Sequence, residues 1–407
     1  MEKRANNLNI RWLYLAVGTV SMLFAGILYA WSILKVPLAA EFSWSTSQLA
    51  LNFTLAMCFF CIGSFLGSIV AKKLGVRLSL ILMGILAGAG FVFASMLKGN
   101  VFGLYVTYGV AASLGIGVVY NVVISTVNAW FPDKRGLSSG CLLMGFGLST
   151  LIFGKILDRL FGMETVGWRM AYILFGVLLA VVFAVAGIII KKPGSDTVLP
   201  EPKKAATTGR EDFEVRDFTT GEMLKRSSFW RAFILITCVA AVGNSVISFA
   251  RDLAVSLNAT AALATTIVGV LSVCNGLGRI ITGAVFDARG RRFTMVGACA
   301  VTILAAATTL TAVLIGSLPL CVVGLCITGV SYGTAPTLSS AFISAFYGQK
   351  HFATNYSIML FNLMAASFVA TVCSKMLTSS GAYVMPFVLL LGLSVVAFVL
   401  NLTIKRP

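Results

Sequence analysis

The feature that most constrains this chain is a set of twelve apolar segments, each long enough to cross a lipid bilayer. They lie near residues 12–36, 46–71, 78–97, 101–129, 136–160, 168–190, 229–250, 259–285, 293–315, 318–346, 352–377 and 382–403. A spanning helix needs about 20 apolar residues, and only a helix satisfies all the backbone groups of one such segment inside lipid. The sequence therefore predicts an all-α membrane protein with twelve transmembrane helices.

Composition agrees with a membrane protein. Apolar residues make up 58% of the 407 and charged residues only 11%, which is more apolar surface than one or two soluble cores can bury. The net charge of +17 does not indicate nucleic-acid binding, because the basic residues cluster in short loops between apolar segments. All nine cysteines fall inside apolar segments, so no disulfide framework is expected.

A polar stretch at 191–228 divides the apolar segments into six and six. It holds seven of the fourteen acidic residues, and we interpret it as a linker. The predicted domains are an N-terminal six-helix bundle at 1–190, the linker, and a C-terminal six-helix bundle at 229–407. Near its end, Thr219 and Glu222 have the spacing of a capping box, which predicts a short helix at the membrane surface.

The distribution of Lys and Arg predicts the orientation in the membrane. If both termini are cytoplasmic, the inner segments carry 23 of these residues and the outer segments 7, and Arg279 completes the total of 31. Because cytoplasmic loops are enriched in basic residues, we predict a multi-pass protein of the inner (plasma) membrane with both termini in the cytoplasm.

Arg279 is the one basic residue well inside an apolar segment. A charge in the membrane is costly and usually marks a functional site. Its helix face also carries small or polar residues, namely Ser272, Asn275, Gly276 and Gly283. This pattern indicates that Arg279 faces an interior cavity, where a guanidinium suits bidentate capture of a carboxylate. The alternative is that it extends to the surface or caps helix carbonyls.

Polar and aromatic side chains in other segments are candidates for the lining of the same pocket, although each also fits interhelical packing. They include Tyr29 and Trp31 in the first segment, Tyr120 and Asn121 in the fourth, Tyr332 in the tenth, and Asn355, Tyr356 and Asn362 in the eleventh. Together with Asn275, these residues would offer hydrogen-bond donors to an anion. Their aromatic rings would enclose an apolar tail of the substrate.

The chain shows no phosphate-binding glycine loop, no metal-ligand cluster and no nucleophile paired with a base. A catalytic site needs groups of these kinds. We therefore predict a secondary active transporter rather than an enzyme or an ATP-driven pump, with no cofactor.

Two loops are similar to the loop signature of the major facilitator superfamily. The copy at 283–292 matches it fully and contains Asp287, Arg291 and Arg292, whereas the copy at 68–77 has a lysine in place of the acid. The resemblance implies the major facilitator fold. We interpret these three charged residues as gating or topology residues that pair with each other and with helix ends.

Two strings, at 128–140 and 217–224, are similar to the oxalate/formate antiporter family, which is allied to the monocarboxylate transporters. The resemblance implies alternating access for small carboxylates. The binding residues that it implies are Arg279, Tyr332, Tyr120, Tyr29 and Trp31. Within the first string, Lys134 and Arg135 are interpreted as topology anchors first and gating residues second.

The sequence departs from that family at the place of its second cation, where Leu363 stands, and at an aromatic position that is Phe146. A dianion would bring two charges to the single guanidinium of Arg279, and a buried unpaired charge is costly. We therefore expect a monocarboxylate such as lactate, pyruvate or formate. The alternatives are an oxalate/formate antiporter and a carboxylate-sensing receptor without net transport.

The sequence leaves the coupling ion open between a proton and a counter-anion. Lys35, near the outer end of the first segment, is either a proton carrier whose pKa is lowered by burial or an ordinary outer-surface lysine. We expect a monomer whose partners are a small organic carboxylate, a proton or counter-anion, and the lipid bilayer.

Overall fold

All regular secondary structure is helical in the residues that the computed structural model describes. These are 2–133, 135–194, 197, 199, 217–348 and 350–404, with side chains at all positions except 2–8, 135–137, 287 and 353. Twelve helices are long and apolar enough to cross a membrane, as predicted. They are α1 Asn9–Phe42, α2 Thr46–Lys73, α3 Gly75–Ser95, α4 Val101–Asn128, α5 Ser138–Phe161, α6 Gly167–Ile189, α7 Ser227–Ser256, α8 Ala261–Phe286, α9 Ala288–Ile315, α10 Leu318–Tyr347, α11 Thr354–Ser380 and α12 Val384–Thr403.

Two of these helices, α1 and α7, run about six residues past their predicted ends. The pattern ends the first segment at 36, but α1 continues through Pro37 to Phe42, and α7 continues beyond 250 to Ser256. Hydropathy marks the thickness of the lipid, whereas a helix can continue into the headgroup region, where water solvates its charged side chains. As a result, Asp252 lies on α7 rather than in a loop.

One end of the helix array carries the start of the linker, and we call it the linker side. Arg11, at the start of α1, forms a 2.7 Å ion pair with Asp133 in the α4–α5 connection. In that same connection, Trp130 Nε1 donates to the carbonyl of Lys191 at 2.6 Å. These contacts fasten the first residues of the linker to the N-terminal helices.

The other end of the array, the opposite side, is tied together by loop contacts. Trp44 Nε1 donates to the carbonyl of Gly99 at 3.1 Å. The guanidinium of Arg169 forms an ion pair with Glu41. These contacts connect the α1–α2 and α3–α4 loops to the start of α6.

The helices form two six-helix bundles, because α1–α6 pack mainly on one another and α7–α12 do the same. The bundles meet where α1 faces α7, α2 faces α11 and α5 faces α8. Helices α5 and α8 approach closely at two glycines, since a Cβ added to Gly147 would lie 3.0 Å from Gly276 Cα. The domain boundaries at residues 190 and 228 stay a prediction, because 200–216 fall outside the described residues.

Candidate substrate-binding site

Arg279 lies in the interior on α8, with only 2% of its surface exposed. Its Nε donates to Asn275 Oδ1 at 3.2 Å, and its Nη1 donates to the carbonyl of Leu143 on α5 at 2.9 Å. Nη2 has no hydrogen-bond partner, and no ion pair involves Arg279 among the described residues. Because a guanidinium carries five N–H donors, two remain on Nη2 and one on Nη1 for a ligand.

The contact between α5 and α8 holds Arg279 in this position. Ser272 Oγ donates to the carbonyl of Gly147, beside the close approach of that glycine to Gly276. Ser272 and Asn275 are buried, whereas Ile281 on the other face of α8 is half exposed at the lipid-facing surface. The small and polar stripe of α8 therefore faces the interior, as the sequence predicts. The expectation that Arg279 reaches the surface does not agree with its burial, although its Nη1 does bind a carbonyl.

A cavity of about 610 Å³ runs from Arg279 to the linker side. This volume lies within the usual range for small-molecule sites, about 300–1,000 Å³. Its polar lining consists of Tyr120, Asn121, Ser125, Asn128, Ser139, Arg279, Thr337, Ser340, Ser344, Lys350 and Tyr356, and its apolar lining includes Ile124, Leu143, Ile280, Phe286 and Phe352. The cavity reaches the linker side because Asn128 ends α4 and Lys350 belongs to the α10–α11 connection.

Two tyrosines from different bundles meet at the wall of this cavity. The hydroxyls of Tyr120 on α4 and Tyr356 on α11 lie 3.3 Å apart. The Tyr120 ring packs edge-on against Phe60 at 5.0 Å and Phe146 at 5.3 Å between centroids. Phe146 also faces the guanidinium of Arg279, 5.7 Å from Cζ. Among the described residues, the site thus combines the cation of Arg279 with a pair of hydroxyls, of which one O–H is used within the pair and the other is free to donate.

A second cluster of buried polar side chains lies beside Arg279. The Tyr332 hydroxyl donates to Asn244 Oδ1 at 2.6 Å and lies 2.8 Å from the hydroxyl of Tyr29. The Tyr29 ring lies 6.0 Å from Arg279 Cζ. A Cβ at Gly243 would collide with the Tyr332 ring, so the glycine makes room for this contact. Tyr29 and Tyr332 therefore adjoin the site without being among the residues that line the cavity.

Three other residues predicted for the pocket are used elsewhere. Trp31 Nε1 donates to the carbonyl of Leu49 at 3.0 Å, which fixes α1 against α2. Asn362 Nδ2 lies 3.1 Å from Ser339 Oγ, between α11 and α10. Asn355 binds the end of the linker through both atoms of its amide. None of the three lines the cavity, because each side chain satisfies buried groups between helices.

Comparison with known proteins decides the family. A sequence model of the Major Facilitator Superfamily matches residues 13–371 and 234–407. The chain belongs to the major facilitator superfamily. It is 29% identical over 70% of its length to "Oxalate:formate antiporter" from Oxalobacter formigenes, and 27% identical over 58% of its length to "Apicoplast pyruvate carrier 1" from Toxoplasma gondii. The matches span 65% and 52% of those two proteins.

The fold agrees with the same superfamily. The crystal structure of a bacterial homologue of the human lysosomal transporter Spinster, in an inward-facing and occupied conformation, superposes with a TM-score of 0.71. The superposition covers 96% of each chain at 17% identity. At that identity the likeness concerns the arrangement of the helices.

The superfamily loop signature lies on the linker side. Arg291 Nη2 contacts the carbonyl of Ile404 at 3.4 Å, and its Cζ lies 5.3 Å from the ring of Phe346. Arg292 is exposed and lines a smaller recess of about 210 Å³ beside the end of α12. Both arginines therefore lie at the end of the C-terminal bundle. The side chains of Asp287 and Arg135 and the whole of Lys134 lie outside what the structure describes.

Lys35 is not the surface lysine that one interpretation of the sequence expects. It is 7% exposed, and its Nζ forms a 2.7 Å ion pair with Asp252 Oδ2 and a 3.1 Å hydrogen bond to the carbonyl of Ser248. The pair joins α1 to α7, and therefore the N-terminal bundle to the C-terminal bundle. On the same side, Thr54 of α2 donates to the carbonyl of Ser367 of α11 at 2.9 Å.

Two residues at or near the site, Asn244 and Lys350, were not predicted to belong to it. Tyr356 was a candidate together with Asn355 and Asn362, and it is the one of these three that lines the cavity. Asn244 gave no signal beyond being a single amide in an apolar segment. Lys350 lies in a loop, where a basic residue indicates orientation rather than binding.

Proposed function

We propose that this major facilitator protein is a secondary transporter of small monocarboxylates that binds the carboxylate at Arg279. Two observations carry the proposal: Arg279 lines the cavity, and the Nη2 atom of its buried guanidinium has no hydrogen-bond partner. A buried charge without a counter-charge is costly. An anionic substrate supplies that counter-charge and both missing acceptors.

The lining favours one carboxylate on a small organic body. Arg279 is the buried cation of the cavity, whereas Lys350 is exposed at its mouth. The hydroxyls of Tyr120 and Tyr356 suit a second carboxylate oxygen or a substrate hydroxyl, and Phe146 packs against the ring of Tyr120. The two relatives whose names mention oxalate, formate and pyruvate support a small carboxylate.

The transport cycle follows from where the cavity opens. The structure has its cavity open to the linker side and its bundles joined by Lys35 and Asp252 on the opposite side. With the linker side assigned to the cytoplasm by the distribution of Lys and Arg, this is the inward-open state. Substrate neutralises Arg279 and removes the electrostatic penalty of closing the cavity, so the two bundles rock to expose the site outside.

We further propose an inner (plasma) membrane location, a monomer, and coupling to a proton or a counter-anion. Transport rather than catalysis fits a cavity in which the described lining residues include one buried charged group, the guanidinium held by Asn275 and Leu143. Arg279 therefore binds the anion.

The test is uptake of radiolabelled lactate, pyruvate, formate and oxalate into proteoliposomes, with and without a pH gradient. Saturable lactate or pyruvate uptake, with oxalate a weak competitor, is the expected result. Stronger competition by oxalate would replace this proposal by an oxalate/formate antiporter. Binding of these acids without any flux would favour a receptor. Acceleration by an inward-directed proton gradient identifies symport, and acceleration by internal carboxylate identifies exchange.

A further inference from the structure

The end of the linker, residues 217–224, docks onto the α10–α11 connection. The backbone N–H of Phe218 donates to the carbonyl of Tyr347 at 3.0 Å, and the two rings meet edge-on with centroids 5.5 Å apart. Asp217 Oδ1 accepts from the backbone N–H of Lys350 at 3.0 Å. This is the string that resembles the oxalate/formate antiporters, and binding a carboxylate at Arg279 does not require it.

The short helix Thr220–Leu224 begins at the predicted capping box. The Thr219 side chain accepts from the backbone N–H of Glu222 at 3.3 Å, and the Thr219 N–H donates to Glu222 Oε2 at 2.8 Å. The cap fixes the first turn of the helix and therefore the position of Thr220. A surface helix of five residues has little stability of its own, so its order depends on these contacts.

Asn355 joins this helix to α11. Its Nδ2 donates to the carbonyl of Phe218 at 3.0 Å, and its Oδ1 accepts from Thr220 Oγ1 at 2.8 Å. Asn355 is fully buried, so both halves of its amide are satisfied by the linker. These two bonds hold the first turn of α11 in one rotation about its axis.

The residue after Asn355 is Tyr356, which lines the cavity. Successive helical residues point about 100° apart, so a side chain fixed toward the linker at 355 directs the next one toward the cavity. Tyr356 stacks on Phe352 with centroids 5.4 Å apart, and Phe352 also lines the cavity. Both belong to the helical segment Phe352–Met359, and Leu360 continues the helix with φ −63° and ψ −17°. The contacts of Asn355 with the linker therefore set the direction in which Tyr356 points.

We propose that residues 217–224 act as a positioning element for the substrate site, with Thr220 and Asn355 as the residues that fix Tyr356 in the cavity wall. The identity of the bound anion rests on the proposed function, but the claim that Thr220 and Asn355 position Tyr356 does not. Loss of the Thr220–Asn355 bond removes one of the two contacts that hold the first turn of α11 in this rotation, so Tyr356 shifts from its place in the cavity wall.

The transport test compares Thr220→Val, which keeps the shape but removes the hydroxyl, with Thr220→Ser, which keeps the donor. Thr220→Val is expected to raise the KM for lactate about fivefold, as loss of one buried hydrogen bond does, with Vmax little changed. Thr220→Ser should behave like the wild type. Adding Tyr356→Phe to Thr220→Val should raise KM no further, because the Tyr356 hydroxyl displaced by Thr220→Val no longer contacts the substrate. If the two substitutions instead raised KM by independent factors that multiply in the double variant, the proposal would be overturned.

A second readout needs no transport. Cys141 is the one cysteine among the described residues that line the cavity, so it serves as the labelling probe. The variant Cys141→Ser is the control, because it measures the labelling of the other cysteines. Tyr356 and Phe352 project from the wall and narrow the cavity, so their displacement should let a water-soluble maleimide enter more easily. Thr220→Val and Asn355→Ala should therefore raise the rate of Cys141 labelling about threefold in detergent. Unchanged labelling in both variants would refute the positioning role, even if the protein transports no carboxylate. A changed rate in a protein without flux would refute only the proposed function.

Discussion

Replacing Arg279 with lysine separates charge from geometry at the site. Lysine keeps the positive charge but has one nitrogen in place of the planar fork. In the structure, two nitrogens of the guanidinium bind the protein, since Nε donates to Asn275 and Nη1 to the carbonyl of Leu143. The third nitrogen, Nη2, has no partner and is left for the ligand. A single ammonium cannot hold both protein acceptors and a carboxylate in this geometry.

The size of the effect follows from the bonds that lysine loses. One charge-assisted hydrogen bond to the substrate contributes about 1.5–3 kcal/mol, which corresponds to about a 10- to 150-fold rise in KM. The buried acceptors Asn275 Oδ1 and Leu143 O also lose their donor, at a cost of about 1–3 kcal/mol each. That cost falls on both the free and the bound protein, so it lowers thermal stability more than it changes KM.

The assay is the initial rate of radiolabelled lactate uptake into proteoliposomes over a range of concentrations. Arg251→Lys is the matched control, because Arg251 lies on α7 with its Nε 3.4 Å from Thr265 Oγ1 and does not line the cavity. It should leave KM within about twofold of the wild type. An equally small change for Arg279→Lys would refute carboxylate binding at Nη2.

Three further experiments test other contacts. Tyr356→Phe should raise the KM for lactate about fivefold through loss of one hydroxyl contact, measured by uptake; an unchanged KM would remove Tyr356 from the site. Asp252→Lys and Lys35→Asp should each abolish most uptake by placing like charges together, and the double reversal should restore it; a double variant as inactive as either single one would contradict a gating ion pair. Gly147→Val should lower the uptake rate more than about tenfold, because its side chain forces α5 from Gly276; near-normal uptake would show that the close approach is dispensable.

The number of helices was predictable because solubility in lipid is a local property of each segment. Every spanning segment must be apolar over about 20 residues whatever its neighbours are, so a single sequence reveals it. Arg279 was predictable for the complementary reason, since a charge in such a segment breaks the pattern. Helix ends were not predictable in the same way, as the extension of α7 past Arg251 and Asp252 illustrates.

The contacts that complete the site join residues far apart in the sequence, so no local pattern reveals them. Lys35 and Asp252 are 217 positions apart, and their pairing depends on how α1 meets α7. Asn355 and Tyr356 are adjacent and both polar, and only the docked linker, which binds the Asn355 amide, shows which of the two faces the cavity. Trp31 looked like a pocket residue but packs between α1 and α2.

The most direct measurement is an experimental structure of the protein with lactate bound. The expected result is a carboxylate oxygen within about 3.2 Å of Arg279 Nη2, with the body of the molecule between Tyr120 and Tyr356. Lactate bound elsewhere in the cavity, with Nη2 donating to an acceptor of the protein, would contradict carboxylate binding by Arg279.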